Sequence, residues 1–174
     1  MRTLLVLRHA KSSWDDARLD DFQRPLAPRG IKAARRMGRH MRDSGLVPER
    51  ALASPAVRTR ETIDIVRAEL GLGEMPVDFD AALYLAEPAV LIARLQRVPA
   101  GVRRLLLVGH NPGLQELALL LIGEKRSPES DEIAAKFPTA ALAAIRLDIA
   151  DWSDVAPGCG RLTHYMTPRK LAGE

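Results

Sequence analysis

The sequence predicts an α/β fold, a three-layer α/β/α sandwich built on a mainly parallel sheet. Short apolar runs suited to strands buried on both faces occur at residues 3–7 and 104–108. Segments with apolar residues at helical spacing alternate with such runs. Both runs end abruptly in polar turns, Arg8-His9-Ala10-Lys11 and Gly109-His110-Asn111-Pro112-Gly113. Strands that alternate with helices in this way pair in parallel and carry helices on their faces.

Taken in order, residues 3–7 form the first strand. Residues 12–28 are polar, broken by Pro25 and Pro28, and too long for a plain connector, which marks them as functional. A helix follows over 31–44, with Ile31, Ala34, Met37 and Met41 inward, a solvated basic face, and Gly45 as its stop. Residues 49–53 read as a second strand. The next helix covers 56–70, with Ser54 as N-cap, Pro55 at its first position and Val57, Ile63 and Val66 buried. Residues 76–80 read as a short strand, and 88–97 as a helix with Val90, Leu91 and Leu95 inward. Residues 104–108 are the clearest buried strand, followed by a helix over 114–122. A charged loop spans 124–132. Two closing strands, 140–148 and 160–166, read as a hairpin that leaves room for an antiparallel edge. No repeat, linker or low-complexity tract divides the chain, so residues 1–174 read as a single domain.

Composition excludes several classes. Apolar residues make up 47% and charged residues 28%, an ordinary globular balance. Net charge is +4, without a run of like charges, and Trp 2, Tyr 2 and Phe 3 offer little for base stacking, so no nucleic-acid partner is expected. One cysteine, Cys159, excludes an internal disulfide framework and cysteine-rich metal sites. No stretch approaches the roughly 18 apolar residues of a membrane helix, and no leader is evident, so a cytoplasmic protein with no membrane partner is the expectation.

The chemistry concentrates at strand ends, where α/β folds collect ligand-binding loops. Arg8 and His9 end the first strand, Arg58 lies in the first turn of a helix that follows another, and His110 ends the 104–108 strand. Phosphoryl transfer needs charge compensation on the phosphate oxygens and an in-line nucleophile. Arginine forks suit the first task, and a neutral imidazole suits the second. His9 is the candidate nucleophile, Arg8 and Arg58 the candidate oxygen ligands, and His110 a candidate donor as charge develops. The bland reading of Arg58 is a surface ion pair with Glu61. His9 and His110 have no carboxylate or Cys beside them at a ligand spacing, so no metal is expected. His40 and His164 read as structural. Phosphate-loop, HExxH, Gly-x-Ser-x-Gly and Gly-x-Gly-x-x-Gly signatures are all missing.

These residues resemble the histidine phosphatase superfamily, most closely its short phosphohistidine phosphatase branch of SixA type. The matching pieces are Leu7-Arg8-His9-Ala10-Lys11-Ser12, Arg24-Pro25-Leu26 with Arg29-Gly30, Ser54-Pro55-Ala56-Val57-Arg58 with Thr62, Leu83-Tyr84, and Val108-Gly109-His110-Asn111-Pro112. The resemblance implies a phosphoglycerate mutase-like fold and a cofactor-independent phosphatase in which His9 becomes phosphorylated. It also implies a phosphate pocket of Arg8, Arg58 and His110; beside them, Lys11 adds positive potential at the mouth, and Lys11 and Asn111 are further candidate substrate contacts. The superfamily's usual Arg-His-Gly is Arg-His-Ala here, which adds the Ala10 methyl where backbone approaches the phosphate. A clear acidic proton donor is missing, with Asp16, Asp21 and Glu87 as the candidates. An imidazole leaving group has a pKa near about 6.5 and departs with little help, so this absence leans toward phosphohistidine in proteins. The alternatives are a phosphatase of a small phosphorylated metabolite and a non-catalytic phospho-ligand binding module.

Overall fold

A computed structural model describes residues 1–173. One six-stranded sheet runs through it, formed by β1 (Arg2–Arg8), β2 (Arg50–Ala53), β3 (Val77–Phe79), β4 (Arg104–Gly109), β5 (Leu142–Leu147) and β6 (Gly160–Met166). The strand order is β3-β2-β4-β1-β5-β6. The first four strands in that order pair in parallel, and β5 and β6 add an antiparallel edge. Helices α1 (Pro28–Asp43) and α2 (Val57–Leu70) cover one face. On the other lie α3 (Pro88–Leu95), α4 (Gly113–Ile122) and α5 (Pro128–Ala135), while α6 (Pro168–Leu171) follows the last strand.

The two-residue period of the strands divides the core. Leu4, Val6, Leu105 and Leu107 pack toward α3 and α4, whereas Leu5, Leu7, Leu106 and Val108 pack toward α1 and α2. Both faces of β1 and β4 are therefore buried, which is why these strands read as unbroken apolar runs.

Several expectations shift. Residues 124–132 are not wholly a loop, because α5 begins at Pro128. Ser127 and Ser130 form a reciprocal capping box there, and Ile133 anchors the helix inward. Helix α2 starts at Val57 with Ala56 as its N-cap, so Ser54 is not the N-cap; its hydroxyl accepts from Ala56 N–H at 3.3 Å and also faces the site described below. Val90 is exposed, since Leu91 and Leu95 define the buried stripe of α3. His40 and His164 pair directly, their Nε2 atoms 2.7 Å apart, and tie α1 to β6.

Two glycines set the loops against the helices. Gly30, in the first turn of α1, lies so close to the Lys11 carbonyl that a Cβ there would overlap it, and Gly113, at the start of α4, stands in the same relation to the Ala86 carbonyl. Gly30→Ala should therefore force the Lys11 backbone away from α1 and lower unfolding stability by about 1–3 kcal/mol, read from urea denaturation. A variant as stable as the wild type would show that this loop moves freely.

Candidate active site

Three adjacent strands deliver the site. Beyond the ends of β1, β4 and β2, backbone bonding continues by one residue: His9 N–H donates to the Gly109 carbonyl and Ser54 N–H to that of Val108. His9, His110 and Ser54 thus leave the sheet side by side, at the C-terminal ends of parallel strands. Arg58 arrives from the first turn of α2. Thr62 fixes that helix to the β1 loop, since its hydroxyl accepts from Ala10 N–H and donates to the Arg58 carbonyl.

The Ala10 methyl does not face this pocket. It is fully buried among Leu26, Ala34 and Ala140. Alanine at this position therefore fills a small core cluster and leaves the pocket's space untouched.

Hydrogen-bond partners assign the imidazole tautomers. His9 Nδ1 lies 2.7 Å from the Ala10 carbonyl, which only accepts, so Nδ1 carries the proton. Its Nε2 keeps a lone pair, toward which Arg58 Nε donates at 3.3 Å. His110 Nδ1 accepts from Arg58 Nη2 at 3.2 Å, so its Nε2–H donates to Ser54 Oγ at 2.7 Å. Burial holds the His9 pKa down to about 4, with the two arginine charges adding to the effect. Burial, together with His9 and Arg58, holds His110 at about 3. Both rings are neutral at pH 7.

Arg58 is only 4% exposed. Besides both imidazoles it reaches Asp21, donating to the backbone carbonyl at 2.6 Å and to the carboxylate at 2.9 Å. Arg8 donates one Nη to the Phe137 carbonyl at 3.0 Å, and its buried Nε has no partner among the described residues. A pocket of about 230 Å³ opens between these groups, with Lys11, Ser12, Trp14, Leu85, Asn111 and Thr139 completing its wall. Asn111 donates to the Phe137 carbonyl at 2.9 Å, and its buried carbonyl oxygen is unpartnered among the described residues.

The residues singled out from sequence separate clearly. Arg8, His9, Lys11, Arg58, His110 and Asn111 all line this one pocket. Glu61 does not pair with Arg58; its carboxylate accepts from Leu26 N–H instead. Of the three carboxylates, only Asp21 reaches the pocket. Asp16 is paired with Arg18 at the surface, and Glu87 is an exposed residue at the start of α3. Asp21 is held below the usual carboxylate range, first by the Tyr84 hydroxyl that donates to it and then by Arg58. Tyr84 belongs to the motif that carries the resemblance, but the sequence assigns it no role. It stands edge-on to His110, with ring centroids 5.2 Å apart, and clamps Asp21. Ser54 reads as a cap from sequence, and its place directly after a strand is the signal that its hydroxyl reaches the site.

Residues 4–84 match the sequence profile described as the histidine phosphatase superfamily (branch 1). An uncharacterised protein of Mycobacterium tuberculosis H37Rv is 37% identical over 165 residues, covering 94% of this chain and 100% of that protein. The chain belongs to the histidine phosphatase superfamily. Its structure is similar to that of the protein histidine phosphatase SixA complexed with tungstate, with a TM-score of 0.79, 26% identity and coverage of 97% and 99% of the two chains. A 2,3-bisphosphoglycerate-dependent phosphoglycerate mutase of Bradyrhizobium diazoefficiens is 33% identical over 84 residues, 47% of this chain and 41% of the mutase. These likenesses support a phosphatase.

Unfolded histidines titrate near about 6.5, whereas His9 and His110 titrate near 4 and 3 in the fold. Between these values the unfolded chain binds more protons, so stability rises with pH and is lost as pH falls through that window. The Tm should drop between pH 7 and pH 5, and the drop should be smaller in His110→Asn. In NMR titrations the two ring signals should stay fixed from pH 8 to 5.5. A midpoint near 6.5 for either would contradict the burial assigned to it.

Proposed function

We propose that this chain, acting as one domain, is a cofactor-independent phosphatase that removes nitrogen-bound phosphoryl groups, as in phosphohistidine of proteins, through a phospho-His9 intermediate. The phosphatase reading is supported by the convergence of two guanidinium groups and two neutral imidazoles on one small pocket. The description of the SixA relative as a protein histidine phosphatase agrees with it.

The observation that carries the choice of leaving group is the state of Asp21. It is the one carboxylate that lines the pocket among the described residues, and it is held ionised. An ionised carboxylate has no proton to give to a departing alkoxide, whose high basicity demands a strong acid. A departing imidazole needs little such help.

In the first step the arriving phosphate oxygens take over the Arg58 Nε–H hydrogen bond from His9 Nε2, the freed lone pair attacks phosphorus, and the bond from phosphorus to the substrate nitrogen breaks. The leaving ring takes one proton from solvent at its free nitrogen, so it departs as neutral imidazole. Phosphorylated His9 is a cationic ring, and the Ala10 carbonyl stabilises it by accepting from Nδ1–H. Arg8 and Arg58 neutralise the phosphate oxygens, and His110 borders the same space. A water then attacks phosphorus, the His9–phosphorus bond breaks, and inorganic phosphate leaves. The water's second proton is carried off as the product equilibrates with solvent.

The test is phosphate release from a phosphohistidine-bearing phosphotransfer protein. Wild type should release phosphate, and His9→Ala should release none. Release that survives in His9→Ala would remove His9 as nucleophile. Arg58→Lys should lower kcat/KM by about 100-fold or more, because a point charge replaces a fork that contacts several groups. Asp21→Asn is expected to keep kcat on phosphoramidate within about tenfold of wild type, since a readily departing group needs little acid. Efficient cleavage of alkyl phosphate esters that collapses in Asp21→Asn would instead favour the small-metabolite reading. Tight phosphate binding without turnover of any substrate would favour the binding module.

A further inference from the structure

A second concavity of about 660 Å³ adjoins the phosphate pocket, and Lys11 and Thr139 line both. Its charges are one-sided. Arg29 comes from α1, Lys136 follows α5, and Arg169 and Lys170 come from α6. The single carboxylate on its wall, Glu132, is already paired with Lys170 at 2.6 Å. Arg29, Lys136 and Arg169 are exposed and pair with no carboxylate among the described residues.

Much of the remaining wall is apolar. It includes Ala33, Ala135, Pro138 and the buried ring of Tyr165, whose hydroxyl is occupied by the Lys136 carbonyl at 3.2 Å. A single phosphate is held by donors that converge, as around Arg58. Here the cations stand on separate elements around an apolar base. That distribution complements a chain segment bearing several carboxylates and some apolar surface.

We propose that this groove seats an acidic segment of the protein substrate, flanking the residue whose phosphoryl group enters the His9 pocket. The assignment rests on the phosphatase reading and adds a determinant of substrate choice to it. The phosphoryl group engages His9 and the arginines, while flanking carboxylates engage Arg29, Lys136 and Arg169. Because those three residues are exposed, their attraction is screened by salt over a Debye length of roughly 10 Å at 0.1 M.

The test compares two chemically phosphorylated histidine peptides, one flanked by glutamates and one by glutamines, with phosphoramidate as a small substrate. At low salt, wild type should cleave the acidic peptide with kcat/KM about tenfold above the neutral one, each exposed pair contributing modestly. High salt should erase the preference. The triple variant Arg29→Gln, Lys136→Gln, Arg169→Gln should lose it through KM, with phosphoramidate turnover unchanged. Equal wild-type rates on the two peptides, or a preference that persists in the triple variant, would overturn the groove assignment while leaving the phosphatase reading intact. A matching loss on a small bisphosphate, with no effect on the peptides, would also overturn it by placing a second phosphate there. No turnover of phosphoramidate or of either peptide by wild type would instead remove the phosphatase reading beneath it.

Discussion

The site depends on one buried guanidinium. Arg58 donates to the lone pairs of both imidazoles and to Asp21 by carboxylate and backbone, so one side chain ties together β1, β4, α2 and the loop that bears Asp21. A buried cation is tolerated only when its donors are satisfied. Its partners are therefore constrained in turn. His9 must present its Nε2 lone pair inward, and His110 must present Nδ1. Each ring can do so only because its other nitrogen has an acceptor, the Ala10 carbonyl or the Ser54 hydroxyl. The tautomers and the ring orientations of both histidines follow from that arrangement.

The backbone makes this geometry reproducible. Strand ends place His9 and His110 side by side, and Thr62 pins the turn after β1 to α2. The helix-start glycines let backbone of two loops press directly onto α1 and α4. None of these supports depends on a long, flexible side chain.

Much of this was legible in the chain. The alternation of apolar runs and amphipathic segments predicts the sandwich, and polar turns directly after buried strands predict where Arg8, His9 and His110 gather. Other parts were hidden for physical reasons. Asp16, Asp21 and Glu87 are equivalent in sequence, and only the path of the 12–28 loop brings Asp21 onto Arg58. Tyr84 meets the site through tertiary approach across 63 residues, which no local spacing encodes. Helix α5 was obscured because it buries Ile133 as its one large apolar side chain and starts on a serine capping box. Ser54 stands at a strand end and before a proline, so its cap reading was chemically sound; the hydroxyl accepts from Ala56 N–H just ahead of the helix and from His110. The Ala10 departure looked like an intrusion into the pocket because sequence does not reveal that its methyl turns toward Leu26 and Ala34.

Trp14 and Leu85 belong to the pocket wall but to none of these supports. Trp14 is 63% exposed and stacks under the Arg24 guanidinium at 3.7 Å, and Leu85 is 55% exposed at a positive φ of 52°. They reach the pocket from the same loops that carry Asp21 and Tyr84, the pair that holds Arg58 from outside the sheet. The rim is thus continuous in the chain with the clamp on Arg58. A change of backbone path at either exposed position therefore bears on the Asp21 and Tyr84 contacts as well as on the shape of the pocket mouth, so the two features are inherited together.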